Sequence, residues 1–324
     1  MRWFLWIFAW FAAFVGVATA AEIKKVDRPN CGYVLSGRIE KGDLQKLSSS
    51  GIDYGDTLCL ASDGGNYAEG LAIAEFLIEK TIGTFVDDGE QCFSACANLF
   101  MAGNSQEENF LMPRRSIHYR AQLGFHAPYL DLQEGQFSAE TVKASYGAGL
   151  AAVARVLALG AGYRGEIFPR SLAIEMLKKG PDEVYLIDTI GKARRYKIVV
   201  VGLPARPINL KTLCTLCDLY HQESEDMASS DEEDSYPVCT DVSGVRTKTQ
   251  KSFTEFRFPG FGGEGMYECV IRAKVGKNRA ITNVRLHSEL VEEGKTRLND
   301  YEFIEPDTYL FYEASTPIGK GKAP

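Results

Sequence analysis

The chain has 324 residues, 45% of them hydrophobic and 24% charged, with a formal net charge of −7. That composition excludes a chiefly disordered protein, and the length accommodates one large domain and one small one. The acidic balance argues against a nucleic-acid partner, which would want a basic stripe.

Residues 1–20 read as an export signal. Arg2 supplies a minimal positive start, residues 3–17 are almost wholly apolar, and Val17-Ala18-Thr19-Ala20 offers the small-residue pattern for cleavage before Ala21. The alternative is an uncleaved anchor attaching the protein to a membrane, since a span needs about 20 apolar residues. Either way the rest of the chain is expected outside the cytoplasm, periplasmic or secreted. The eight cysteines, an even number, then favour disulfides over free thiols. Cys214, Cys217, Cys239 and Cys269 allow three connectivities. Cys214 and Cys217 also resemble half a zinc site, but no second Cys-x-x-Cys follows, and disulfides are preferred. Cys92 and Cys96 can bridge across a helical turn or pair with Cys31 and Cys59.

In chain order, residues 31–39 form a short apolar run that predicts a first strand, and residues 43–50 a short helix. Residues 57–62 predict a second strand, broken at Asp63-Gly64-Gly65. Residues 67–80 carry Ile73, Phe76 and Leu77 at helical spacing. A strand over 84–87 leads through Gly89 into 92–102, whose small and apolar residues suit a buried helix. Residues 116–125 are strand-like, 139–159 form a long Ala/Val/Leu helix, and 172–179 a helix that stops at Gly180-Pro181. Strands alternating with helices imply parallel pairing with crossovers, hence an α/β domain over 21–205. Pro204 and Pro207 mark its boundary. In the remainder, 206–324, the run 223–234 holds seven carboxylates and three serines. It lacks EF-hand spacing, so a solvated loop is expected rather than a calcium site. Residues 253–312 alternate apolar and polar between Gly-rich turns and predict a small antiparallel β domain containing cysteines.

Three stretches carry chemistry: Ser62-Asp63-Gly64-Gly65, Cys92-Phe93-Ser94-Ala95-Cys96 and Gly124-Phe125-His126. Two glycines directly after a strand let the backbone turn sharply and aim N–H groups into a cleft. Such groups can hold developing negative charge. Ser94 opens a helix of small residues, where a hydroxyl is either a simple helix cap or an exposed nucleophile. His126 lies in a turn at a strand end between Gly124 and Pro128, whereas its rival His118 sits among strand residues. Together the three stretches supply oxyanion donors, a hydroxyl and a base for acyl transfer.

The order of these motifs resembles the Clp-protease/crotonase superfamily, in particular its secreted, signal-bearing Clp-like bacterial members. The likeness runs from about residue 31 to 198: Ser-x-Gly-Gly at 62–65, Ala-Glu-Gly-Leu at 68–71, Cys-x-Ser-Ala-Cys at 92–96, Gly-Phe-His-Ala-Pro at 124–128 and Gly-Pro-Asp-Glu-Val-Tyr-Leu at 180–186. It gives no account of 206–324. The resemblance implies a core of parallel strands with crossover helices, Ser94 as nucleophile and His126 as general base. It implies an oxyanion hole from the N–H groups of Gly64, Gly65 and Ala95. It also implies self-assembly and no cofactor or metal. Two departures stand out. Asp63 occupies the usual proline position and brings a charge near the oxyanion. The third triad member is open among Asp182, Glu183 and Asp188, with Asp182 preferred for its place in the Pro-Asp-Glu stretch.

The expected function is therefore an exported Clp-like serine peptidase acting on a peptide or protein substrate. The rival is a catalytically degenerate Clp-fold protein that binds peptides or envelope proteins. Acyl-CoA chemistry of the crotonase kind is disfavoured by export away from the coenzyme pool.

Overall fold

The computed structural model describes residues 21–107, 110–129, 135–160, 167–180, 182–223, 239, 242–261, 267–292, 295–297 and 303–319. The expected leader, Pro181 and nearly all of the acidic run lie outside them. The chain starts with two antiparallel strands, β1 (Glu22–Arg28) and β2 (Cys31–Ser36), followed by helix α1 (Asp43–Ser48). β1 escapes a reading by hydrophobicity because only Ile23 and Val26 are apolar in it. Its charged residues suit an exposed sheet edge. β3 (Thr57–Ala61), helix α2 (Tyr67–Glu79) and β4 (Gly83–Val86) make the next crossover.

The apolar stretch read as one helix over 92–102 divides. A three-residue strand, β5 (Gln91–Phe93), meets helix α3 (Ala95–Met101) at a sharp turn on Ser94. After the hairpin β6 (Asn104–Glu107) and β7 (Phe110–Pro113), the single strand expected over 116–125 is two: β8 (Arg115–His118) and β9 (Gln122–Phe125). They enter different sheets because the chain reverses at Tyr119–Ala121, where the Ala121 N–H bonds the His118 carbonyl at 2.8 Å. Helices α4 (Ala139–Leu157) and α5 (Arg170–Leu177), strand β10 (Tyr185–Leu186), helix α6 (Ile190–Arg195) and strand β11 (Val199–Val201) complete this unit.

Two sheets result. The larger has the order β1-β2-β3-β4-β8-β11, parallel except for β1; the smaller is β10-β9-β5, with β5 and β9 parallel. The architecture is mixed α/β, and all four residues of β4 are buried, as expected of a strand covered on both faces. Arg115 lies fully inside this core. Its guanidinium donates to the carbonyls of Met101 and Ile167 at 2.6 Å and of Tyr196 at 2.7 Å, tying α3 and the approaches to α5 and β11 to β8. Main-chain carbonyls thus satisfy donors of a buried cation that water cannot reach.

A separate antiparallel sheet follows helix α7 (Leu210–Glu223). It contains β12 (Arg246–Thr249), β13 (Thr254–Phe261), β14 (Tyr267–Val275), β15 (Ile281–Glu292) and β16 (Lys295–Arg297), paired in sequence order. Leu213 and Leu216 of α7 pack against Phe256, Phe258, Ile271 and Leu286. Of the three connectivities open to the four cysteines here, the fold selects Cys214–Cys239 and Cys217–Cys269. The chain then returns to the first unit. Tyr309, Tyr312 and Ile318 join its core, Ile318 N–H bonds the Asp188 carbonyl at 2.9 Å, and Arg194 donates to the Tyr309 carbonyl at 2.9 Å. Residues 309–318 are therefore structurally part of the α/β unit.

Candidate functional site

Parallel pairing of β5 with β9 sets the site. Phe93 pairs with Gly124, so the residues just beyond each strand, Ser94 and His126, emerge at the same end of the small sheet. Ser94 has φ +58° and ψ −123°, the geometry of the first central residue of a type II′ turn, a position glycine normally takes. Holding a serine there costs about 1–3 kcal/mol and persists only where the surroundings over-determine it. Here its N–H bonds the Gly124 carbonyl at 3.0 Å, and its own carbonyl accepts from Ala97 at 3.0 Å. The Cys92–Cys96 disulfide closes around it, with Cα atoms 5.2 Å apart. Cys31–Cys59 instead joins β2 to β3, which resolves the pairing the sequence left open.

The two glycines after β3 serve different contacts. Gly64, at φ +96°, lies so close to the Ser94 turn that a Cβ would fall 2.7 Å from both the Phe93 carbonyl oxygen and Ser94 Cβ. Gly65, at φ +141°, presses on Ile39, whose carbonyl oxygen would stand 2.3 Å from a Cβ. Gly64 N–H is already engaged by Ser62 Oγ at 3.0 Å. The N–H groups of Gly65 and Ala95 carry no hydrogen bond among the described residues, and Ala95 opens α3, where the helix leaves its first N–H groups unpaired. Asp63 is exposed, and its carboxylate accepts from Gln91, the first residue of β5. The charge is thereby held at the end of that strand away from Ser94.

His126 is buried, and its Nδ1 lies 2.8 Å from the Ala127 carbonyl oxygen. A carbonyl only accepts, so Nδ1 carries the proton and Nε2 is the basic nitrogen. This is the tautomer that a triad carboxylate would otherwise impose. Tyr129 lies against the imidazole, ring centroids 5.2 Å apart and planes tilted by 42°. No hydrogen bond joins His126 to Ser94 among the described residues. The rival His118 ends β8 in the larger sheet. Its Nδ1 is 3.1 Å from Asp88, and its Nε2 would lie 2.1 Å from a Cβ at Gly202.

The three acidic candidates differ in their engagements. Asp188 pairs with Lys192 at 2.9 Å, and Glu183 accepts from the Gly180 N–H at 3.4 Å. Asp182 is exposed and has no partner among the described residues. It precedes β10, which pairs antiparallel with β9 through Tyr185 and Phe125, so it runs alongside the segment after His126. Behind the serine turn, half-buried Tyr67 at the start of α2 turns a buried hydroxyl toward Asn98 of α3. Burial pushes its phenol far above the usual range, with the nearby Asn98 amide opposing, and keeps it protonated; the hydroxyl itself is shut from solvent without a hydrogen-bond partner among the described residues. A cleft lined by Arg28, Val34, Cys59, Asp87 and Glu90 lies on the larger sheet and contains none of these residues.

Ser62, Gln91 and the Ala127 carbonyl acquire their parts only in three dimensions. Ser62 belongs to a motif visible in the sequence, but nothing there assigns its hydroxyl to Gly64. Neither a family model nor a curated protein matches this chain. The described residues contain no helix long and apolar enough to cross a membrane and no cluster of three metal-ligating side chains. The four disulfides suit an oxidising, extracytoplasmic environment.

Proposed function

We propose that this chain is an exported serine hydrolase of the Clp-like kind, acting on peptide bonds through Ser94. The observation that carries the reading is the strained Ser94 turn, braced on every side and set at the same sheet end as a histidine whose Nε2 is free to act as a base. Ser94 Oγ attacks the substrate carbonyl carbon and its proton passes to His126 Nε2. The oxyanion that forms is held by the N–H groups of Ala95 and Gly65. Collapse breaks the C–N bond, with His126 returning the proton to the leaving amine, and water then hydrolyses the acyl-enzyme by the same path. Gly64 contributes by approach and shape, since its N–H is occupied. Asp182 is the acid best placed to support His126 if the Ala127 carbonyl releases it. Export by residues 1–20 and a peptide or protein substrate belong to this proposal.

The test is labelling of the protein with a fluorophosphonate, in which phosphorus bonds Ser94 Oγ and fluoride leaves. Label on Ser94 is expected, absent in Ser94→Ala and slowed about a hundredfold or more in His126→Ala. One observation favours a second reading, a catalytically degenerate Clp-fold binder of peptides or envelope proteins: the missing Ser94–His126 hydrogen bond. Absence of label on folded protein would overturn the hydrolase and select that reading.

A further inference from the structure

Side chains in the loop after β3 capture main-chain N–H groups close by in sequence. Ser62 Oγ takes the N–H of Gly64, two residues on, at 3.0 Å. Aspartate makes the same closure more strongly, as an Asx turn with the N–H two residues ahead. For Asp63 that N–H belongs to Gly65, which carries no hydrogen bond among the described residues. Local preference therefore points the Asp63 carboxylate at a donor assigned above to the oxyanion.

The tertiary structure sends it elsewhere. Ser62 runs beside β5: its N–H bonds the Gln91 carbonyl at 2.8 Å, and its carbonyl accepts from Phe93 at 3.0 Å. That pairing brings the half-buried Gln91 side chain to Asp63, and its Nε2 donates to the carboxylate. Asp63 has no other side-chain partner among the described residues. On the far side the loop is fixed to Ile39, whose N–H bonds the Gly64 carbonyl and whose carbonyl accepts from Asn66, both at 2.8 Å. Losing the Gln91 amide thus frees one side chain while these main-chain bonds still hold the loop.

We propose that Gln91 is a positioning residue for the Ser94 reaction. Its amide holds the Asp63 carboxylate off the Gly65 N–H and keeps that donor for the substrate oxygen. A carboxylate at Gly65 would occupy the donor and repel the charge that develops in the transition state. The inference rests on the serine-hydrolase reading.

Two measurements on the full chain test it: the amide NMR resonance of Gly65, and the rate of fluorophosphonate labelling at Ser94. In Gln91→Ala the resonance should move and labelling should slow about tenfold or more. Asp63→Ala/Gln91→Ala should return the resonance and restore the rate to within about threefold of the unsubstituted protein, whereas Asp63→Ala alone should change the rate far less. Were Gln91 only a brace for β5, the double variant would label as slowly as Gln91→Ala. That result, or a Gly65 resonance unmoved in Gln91→Ala, would overturn the proposal while leaving Ser94 the nucleophile. A resonance that moves and returns in a protein that labels in no variant would uphold the placement of the carboxylate and overturn the hydrolase reading alone.

Discussion

The two units of this molecule are held together by different means. The α/β unit has a continuous apolar core spanning both sheets, and its buried cation, Arg115, donates to main-chain carbonyls. Each unit holds two disulfides, but the α7–β12–β16 unit has a much smaller core, both of its bridges pin the same helix, and its buried carboxylates are satisfied by arginines. A large core tolerates a strained serine turn, because the strain is small against the packing around it. A small core depends on cross-links and ion pairs, and so inherits their sensitivity to reductant and to acid.

The largest expected effect comes from breaking the link between the units. Ending the chain after Asp307 removes Tyr309, Tyr312 and Ile318 from the first core, a loss of about 6 kcal/mol at roughly 2 kcal/mol per buried side chain. That is comparable to a whole domain's margin of stability. The truncated protein should fail to protect α6 and β11 from hydrogen exchange, and full protection would mean that the tail only decorates the core.

Next come the disulfides. Cys217 and Cys269 are 52 residues apart, so Cys217→Ala/Cys269→Ala should cost about 4 kcal/mol in denaturant unfolding. Cys92 and Cys96 are four residues apart, so Cys92→Ala/Cys96→Ala should cost only about 2 kcal/mol. That second variant should nonetheless lose Ser94 labelling out of proportion to its stability, because the closed loop contains the strained turn. Parallel losses of stability and labelling would show that the bridge does nothing special for Ser94.

The smallest effect is on pH dependence. Burial pushes Glu255 up, but hydrogen bonds and charge from Arg257 and Arg272 outweigh it and hold the carboxyl below its ordinary value. A depressed carboxylate stabilises the fold above its unfolded pKa of about 4.3 and loses that contribution as pH falls through the folded value. Acid should therefore melt the second unit first. Glu255→Gln is expected to cost about 1 kcal/mol near neutrality and to flatten the acid limb. An identical acid limb in the variant would place the titrating group elsewhere.

Much of this was legible in the residues. Helix α2 follows from its apolar spacing, and the break at Gly64-Gly65 from the conformations only glycine adopts easily. An antiparallel sheet follows from the alternation over 253–312, although the sheet begins earlier, at β12, and residues 308–311 form a helical turn instead. Other features were not. β5 has the same small and apolar composition as α3, and only the turn at Ser94 separates them. β8 and β9 read as one strand because a three-residue reversal leaves little trace in hydrophobicity. β1 hides because an exposed edge strand needs few apolar residues.

By itself the sequence determined the alternation of strands and helices, the even set of cysteines and the residues available for acyl transfer, because these depend on local pattern and residue chemistry. Only the tertiary structure decided which cysteines pair, that the turns bearing Ser94 and His126 share one end of a sheet, that Ser62 occupies the Gly64 N–H and that residues 309–318 return to the first core. Each of those outcomes joins residues distant in sequence or turns on side-chain direction, and neither is set by local propensity.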